Sequence, residues 1–137
     1  MKIKITVPII FIFLSASVFA KDFTNKHKKY IGHIHHESEY QHVWCSLHNG
    51  IEEYKNKDFT RVDCLTKTHA VEFDFANKWA ESVGQALYYG LMTGKRAKVV
   101  LILENPQKQI IYYYRVKKLS QKYDFDVDFV TDEILEK

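Results

Sequence analysis

Arg61-Val-Asp-Cys-Leu65 and Ala70-Val-Glu-Phe-Asp-Phe75 are parted only by Thr66–His69, and Lys78-Trp-Ala-Glu-Ser-Val-Gly-Gln85 follows almost at once. The first two segments are short and largely apolar, with Val62 in one and Val71, Phe73 and Phe75 in the other, and are bounded by polar residues, which predicts two strands. The third repeats apolar residues at helical spacing, with Trp79, Val83, Ala86-Leu87 and Leu91 expected to face the core. Alternation along a strand puts Glu72 and Asp74 on one face, and Val71, Phe73 and Phe75 on the other. The phenylalanines then anchor the strand while the two carboxylates project together, with Asp63 brought alongside across the turn. Three acids beside a buried strand repel one another unless a cation shares them. Hard divalent ions prefer oxygen ligands, and a metal-activated water is what phosphodiester hydrolysis needs.

On either side of this stretch the pattern extends to a complete set of elements. Tyr40, Val43-Trp44 and Leu47 fit one face of a helix over Glu37–His48, with Ser38 as cap and Asn49-Gly50 as stop. Ile51–Tyr54, Phe59–Leu65 and His69–Phe75 form a small antiparallel meander. A helix over Asn77–Thr93 ends at Gly94. Val99-Val-Leu-Ile-Leu103 is continuously apolar, as expected of a central strand buried on both faces. Asn105-Pro106 opens a loop, Gln107–Tyr123 reads as a helix, and Phe125, Val127 and Phe129 alternate with Asp126 and Asp128 in a last strand. The expected class is α/β (α+β) in the order αβββαβαβ, a mixed sheet flanked by helices.

Asp63, then Glu72 on the next strand, then a helix containing Gln85, resembles the PD-(D/E)xK nuclease superfamily, which has the restriction-endonuclease-like fold. The resemblance covers roughly residues 39–104 and is clearest from Arg61 to Tyr89. It implies Asp63 and Glu72 as ligands of Mg²⁺ or Mn²⁺, with the Phe73 carbonyl as a third and DNA as the expected substrate. The family's lysine position is occupied here by Asp74, and Val62 stands where a proline is usual. Lys78 is the candidate to take over the lysine's task, and it shares a helix side with Ser82 and Gln85; a merely solvent-facing Lys78 is the competing reading. In that case Asp74 becomes an added metal ligand or general base. Many members carry a further acid on the first helix, a part assigned to Glu39, with Glu52 and Glu53 as rivals. Arg61 would contact a phosphate or pair with Asp74 or Glu72.

Residues 1–20 have the layout of a Sec-type signal peptide. Lys2 and Lys4 precede an apolar run over Ile5–Leu14, and Val18 and Ala20 stand at the minus-three and minus-one positions. The run is short for a membrane span, so no stable anchor is expected after cleavage, and the protein is placed in the periplasm or outside the cell. Removing those residues takes the formal charge from +3 to +1, because two lysines and no acids go with them. Attraction to nucleic acid must then come from local patches such as Lys26–Lys29, Lys95–Lys98 and Arg115–Lys118. Residues 21–36 form a polar leader rich in histidine and lysine, and 37–137 the nuclease-like domain. Cys45 and Cys64, the two cysteines of an exported chain, suggest one disulfide, with two buried thiols as the alternative.

Three functions compete. The first is exported, metal-dependent nuclease activity carried by Asp63, Glu72, Lys78 and Gln85. The second is a degenerate nuclease fold that binds nucleic acid or protein without cutting. The third is a metal-binding module built on His33, His35, His36 and their neighbours. No Gly-x-Ser-x-Gly turn or phosphate-cradling glycine loop is present in the sequence.

Overall fold

The structure is a computed structural model that describes residues 32–137. The expected signal segment and most of the polar leader lie outside the described residues. Ile34–Lys137 make one compact unit, and none of its helices is long and apolar enough to cross a membrane. Its elements run α1 (Glu37–Leu47), β1 (Ile51–Lys55), β2 (Arg61–Leu65), β3 (His69–Phe75), α2 (Trp79–Thr93), β4 (Arg96–Ile102), α3 (Pro106–Tyr123) and β5 (Asp126–Val130). One-turn 3₁₀ segments, Ala76–Lys78 and Asp132–Glu136, precede α2 and follow β5.

The five strands form one mixed sheet in the order β1-β2-β3-β4-β5. β1, β2 and β3 are antiparallel neighbours, while β3, β4 and β5 run parallel. Both parallel connections are helices, as a parallel crossover requires. α1 covers one face, where Tyr40, Trp44 and Cys45 pack with Cys64, Val71, Phe73, Phe75, Val100 and Ile102. α2 and α3 cover the other, where Ala86 and Val116 meet Ala97, Val99, Leu101 and Leu103. The unbroken apolar run of β4 follows from this sandwiching: alternate residues serve alternate faces, and both are dry.

Several local expectations are corrected. α1 starts at Glu37 as expected, but its cap is His36 and not Ser38, because the Glu39 carboxylate accepts the His36 N–H at 2.7 Å and closes the first turn. Leu47 is exposed. Phe59 lies in the β1–β2 turn with φ of 72° and an exposed ring, so β2 starts only at Arg61. Leu87 and Leu91 do not face the core; Leu91 is 78% exposed. α2 instead rests on a stripe of Ser82, Ala86, Tyr89 and Gly90. A Cβ at Gly90 would come within 3.0 Å of Ala97 Cβ, so the bare glycine lets the helix approach and turns the leucines outward. Pro106 belongs to the first turn of α3, capped by the Asn105 side chain accepting from Lys108 N.

Cys45 and Cys64 are joined, with sulfurs 2.00 Å apart, tying α1 to the face of β2 opposite Asp63. Gly50 packs directly on this bridge, since a Cβ there would meet both sulfurs, at 2.3 and 2.6 Å. On β5, Asp126 pairs with His69 and Arg96, and Asp128 with Lys98, which holds the wet edge of the parallel sheet.

Candidate functional site

β2 and β3 are in register only at Cys64↔Val71 and Leu65↔Ala70. Beyond that the ladder stops, and Oδ2 of Asp63 accepts the Phe73 N–H at 2.7 Å in place of a backbone carbonyl. The neighbouring strand is disturbed at the same level, where Glu53 has φ of 51° and the β1–β2 ladder skips the Glu53–Asp63 pair. Gln41 of α1 fills the gap, its Nε2 donating to the Asp63 carbonyl at 2.7 Å and to Glu53 Oε1 at 3.1 Å. The sheet therefore forks beside Asp63, and the N-terminal end of α1 reaches the fork.

Two pairs of carboxyl groups lie near it, Glu72 with Asp63 and Glu37 with Asp74. Glu72 and Asp74 are almost fully buried, at 4% and 3% exposure. The Glu72 carboxyl lies against that of Asp63, and burial, then the Asp63 charge, raises its pKa. Burial also raises Asp63, but the Phe73 N–H stabilises its anion, so Asp63 ionises first and Glu72 keeps the proton. Asp74 is raised by burial and partly restored by Lys78, whose Nζ stands 3.4 Å from Oδ1. The fourth acid is Glu37, on the first turn of α1. Burial and the charges of Asp74 and Asp63 push its pKa to about 7, and its carboxyl hydrogen-bonds Asp74. Burial raises the pKa of the Tyr89 phenol, and Gln85, one turn earlier on α2, partly lowers it again, so the α2 side of the cluster is polar at that point.

The structure thus brings Asp63, Glu72, Asp74 and Lys78 together, with Gln85 one contact removed. Glu39 is not among them, because the helix cap and His35 engage its carboxylate at the surface. Glu52 pairs with His42, also at the surface. Arg61 reaches neither Asp74 nor Glu72, and its Nη1 lies 3.4 Å from the Glu53 carbonyl. Glu37 and Gln41 went unread in the sequence, although a signal for both was present. The buried stripe Tyr40–Trp44, continued back one turn at helical spacing, passes through Glu37 and Gln41 and misses Glu39.

Among the described residues, no three His, Cys, Asp or Glu side chains stand together as a ready ligand set. The expected four-acid set of Asp63, Glu72, Asp74 and Glu39 is not assembled, because Asp74 is turned to Lys78 and Glu37 and Glu39 to the helix cap. Asp63 and Glu72 alone are a donor set suited to Mg²⁺, which takes one or two carboxylates and keeps several waters. Glu72 Oε2 is buried and has no hydrogen-bond partner among donors of the protein. Such an atom is satisfied by a proton shared with Asp63 or by a cation, and the pair fits either. The described histidines are engaged elsewhere: His48 stacks on Trp44 at 3.6 Å, and His35 and His42 pair with glutamates.

No family model matches the chain, and neither the curated proteins nor the solved structures contain a significant match to it.

Proposed function

We propose that this chain is an exported, metal-dependent phosphodiesterase with a restriction-endonuclease-like core, acting on DNA. The observation that carries the reading is the fork between β2 and β3, where a buried Glu72 oxygen without a donor lies beside the Asp63 carboxyl. The element order, with three antiparallel strands followed by two parallel crossovers, supports the fold resemblance. Asp63 and Glu72 would hold Mg²⁺ or Mn²⁺, which when bound supplies Lewis-acid stabilisation of the phosphate and an activated water.

The chain's own residues do the rest. The Phe73 N–H and Gln41 fix Asp63 from two sides, one through its carboxylate and the other through its carbonyl. Asp74, standing at the usual lysine position, holds Lys78 by its ammonium group. From there the ammonium would face the scissile phosphate and offset the negative charge that builds as water attacks. Glu37, with its pKa near 7, is a group able to hold or release a proton at neutral pH beside Asp74. Export is part of the same proposal, supported by the signal-like sequence of residues 1–20 and by a disulfide that suits an oxidising compartment.

The test is cleavage of plasmid and single-stranded DNA in Mg²⁺ or Mn²⁺ by the oxidised protein beside Glu72→Ala. Cleavage lost in that variant and with EDTA supports the reading. A folded protein that binds DNA but cuts with neither metal moves it to the non-catalytic binding module.

A further inference from the structure

α3 carries five cations, Lys108, Arg115, Lys117, Lys118 and Lys122, and no acid between Pro106 and Tyr123. Residues 21–137 carry a formal charge of only +1, so this helix concentrates positive charge that the rest of the molecule offsets. None of the five has a carboxylate within ion-pairing distance among the described residues. At 100° per residue, Lys108, Arg115, Lys118 and Lys122 fall within about 80° of one another, a stripe about 21 Å long. All four are exposed. Tyr114 flanks the stripe about 40° beyond Lys118; its ring is 60% exposed and rests edge-on against Tyr113, which packs on Phe129. Arg115 lies over the rings of both Trp79 and Tyr112, at 5.9 and 5.2 Å, and so is held in place before any partner arrives. Trp79 follows Lys78 in sequence, and α3 packs on the Ala76–Lys78 turn, so the stripe abuts the lysine end of the acidic site.

We infer that the outer face of α3 is a docking track for single-stranded nucleic acid, its cations on phosphates and Tyr114 under a base. The inference deepens the proposed function by naming what the site receives, and it rests on that reading for delivery to the fork but not for binding. Single strands are held by this combination of a cationic track and an exposed aromatic platform. An anionic membrane surface fits less well, because Ile111 is the one apolar residue within the stripe and membrane-surface helices need a broad apolar face.

The experiment is fluorescence anisotropy of a labelled oligothymidylate of about 20 nucleotides against the full, oxidised chain in EDTA, over a range of salt. The fourfold variant Lys108→Ala/Arg115→Ala/Lys118→Ala/Lys122→Ala should bind at least about 100-fold more weakly. The slope of log K against log salt should flatten by about 3, near 0.7 per lost phosphate contact. Tyr114→Ala should weaken binding about tenfold while leaving the slope unchanged. Lys55→Ala/Lys57→Ala, at the end of the far edge strand and in the turn after it, should bind as the parent does. Exposed helix positions tolerate alanine, and circular dichroism verifies that each variant is folded. The inference is overturned if the parent binds no oligonucleotide at low salt, or if the fourfold variant keeps affinity and slope. It is equally overturned if anionic phospholipid vesicles are bound and the oligonucleotide is not. Binding without cleavage when Mg²⁺ is added would sink the hydrolase reading and leave the track standing.

Discussion

Lys78 Nζ lies 3.4 Å from Oδ1 of Asp74, four residues earlier in the chain and at the end of β3. The acid standing where the resembled family keeps a lysine is thus the residue that holds one. Asp74 is buried while Lys78 is half exposed, so the carboxylate is the fixed partner and the ammonium the adjustable one. A lysine carried on the turn before α2 reaches the same side of the sheet as Glu72, because Glu72 and Asp74 share a strand face.

Lys78→Ala should lower the rate of DNA cleavage about 100- to 1,000-fold, the usual cost of removing one positioned donor from a developing oxyanion. Lys78→Arg should recover part of it. Single-turnover cleavage in Mg²⁺ measures both, and a Lys78→Ala enzyme as fast as the parent would remove Lys78 from the proposed machinery.

In EDTA, stability should fall as pH rises from about 5 to about 8. Glu37 titrates at about 7 in the fold against an ordinary value of 4.5, and burial raises Asp63, Glu72 and Asp74 as well. An acid with a raised pKa favours folding below its ordinary value, and that advantage is lost as pH climbs through the folded value. Thermal melts should show Tm dropping across this range, and Glu37→Gln should flatten the drop. A cation bound by the Asp63–Glu72 pair reverses the repulsion, so added Mg²⁺ should raise Tm more at the alkaline end. A Tm independent of both pH and Mg²⁺ would argue against a cation seat at the fork.

Gly50→Ala should cost about 1–3 kcal/mol, because its methyl group has to displace the Cys45–Cys64 sulfurs. Removing the bridge itself, as Cys45→Ser/Cys64→Ser, should cost about 3 kcal/mol through the freed unfolded chain. In that background the Gly50→Ala penalty should shrink, since two hydroxyls yield more readily than a covalent bridge. Urea unfolding of the four proteins gives the coupling energy directly, and strictly additive penalties would place the strain elsewhere.

Gln41→Ala should destabilise by about 1–3 kcal/mol, because the half-buried Asp63 carbonyl and Glu53 lose a shared donor. If Gln41 also positions Asp63 for metal, the Mg²⁺ concentration giving half-maximal cleavage should rise in the same variant. Isothermal titration with Mg²⁺ checks this without relying on turnover.

The secondary structure was readable in the sequence wherever local pattern and tertiary burial agree. The β4 run from Val99, the alternation of Val71, Phe73 and Phe75, and the Gly94 stop of α2, with φ of 66°, belong to that group. Pattern misled where close packing overrode side-chain hydrophobicity. The leucines of α2 lost to Ser82, Ala86 and Gly90, because small residues permit the closer helix–sheet approach.

For the candidate site, strand alternation put Glu72 and Asp74 on one face, while the order of the elements and the family resemblance offered Asp63 and Lys78 as their neighbours. Which acid α1 contributes, how Gln41 braces Asp63, and where Arg61 turns were decided by the fork between β2 and β3. That fork depends on a side chain outcompeting a backbone carbonyl for the Phe73 N–H, and on a helix placed over the gap. Both are contacts between residues distant in sequence, and periodicity describes only what a residue's near neighbours impose.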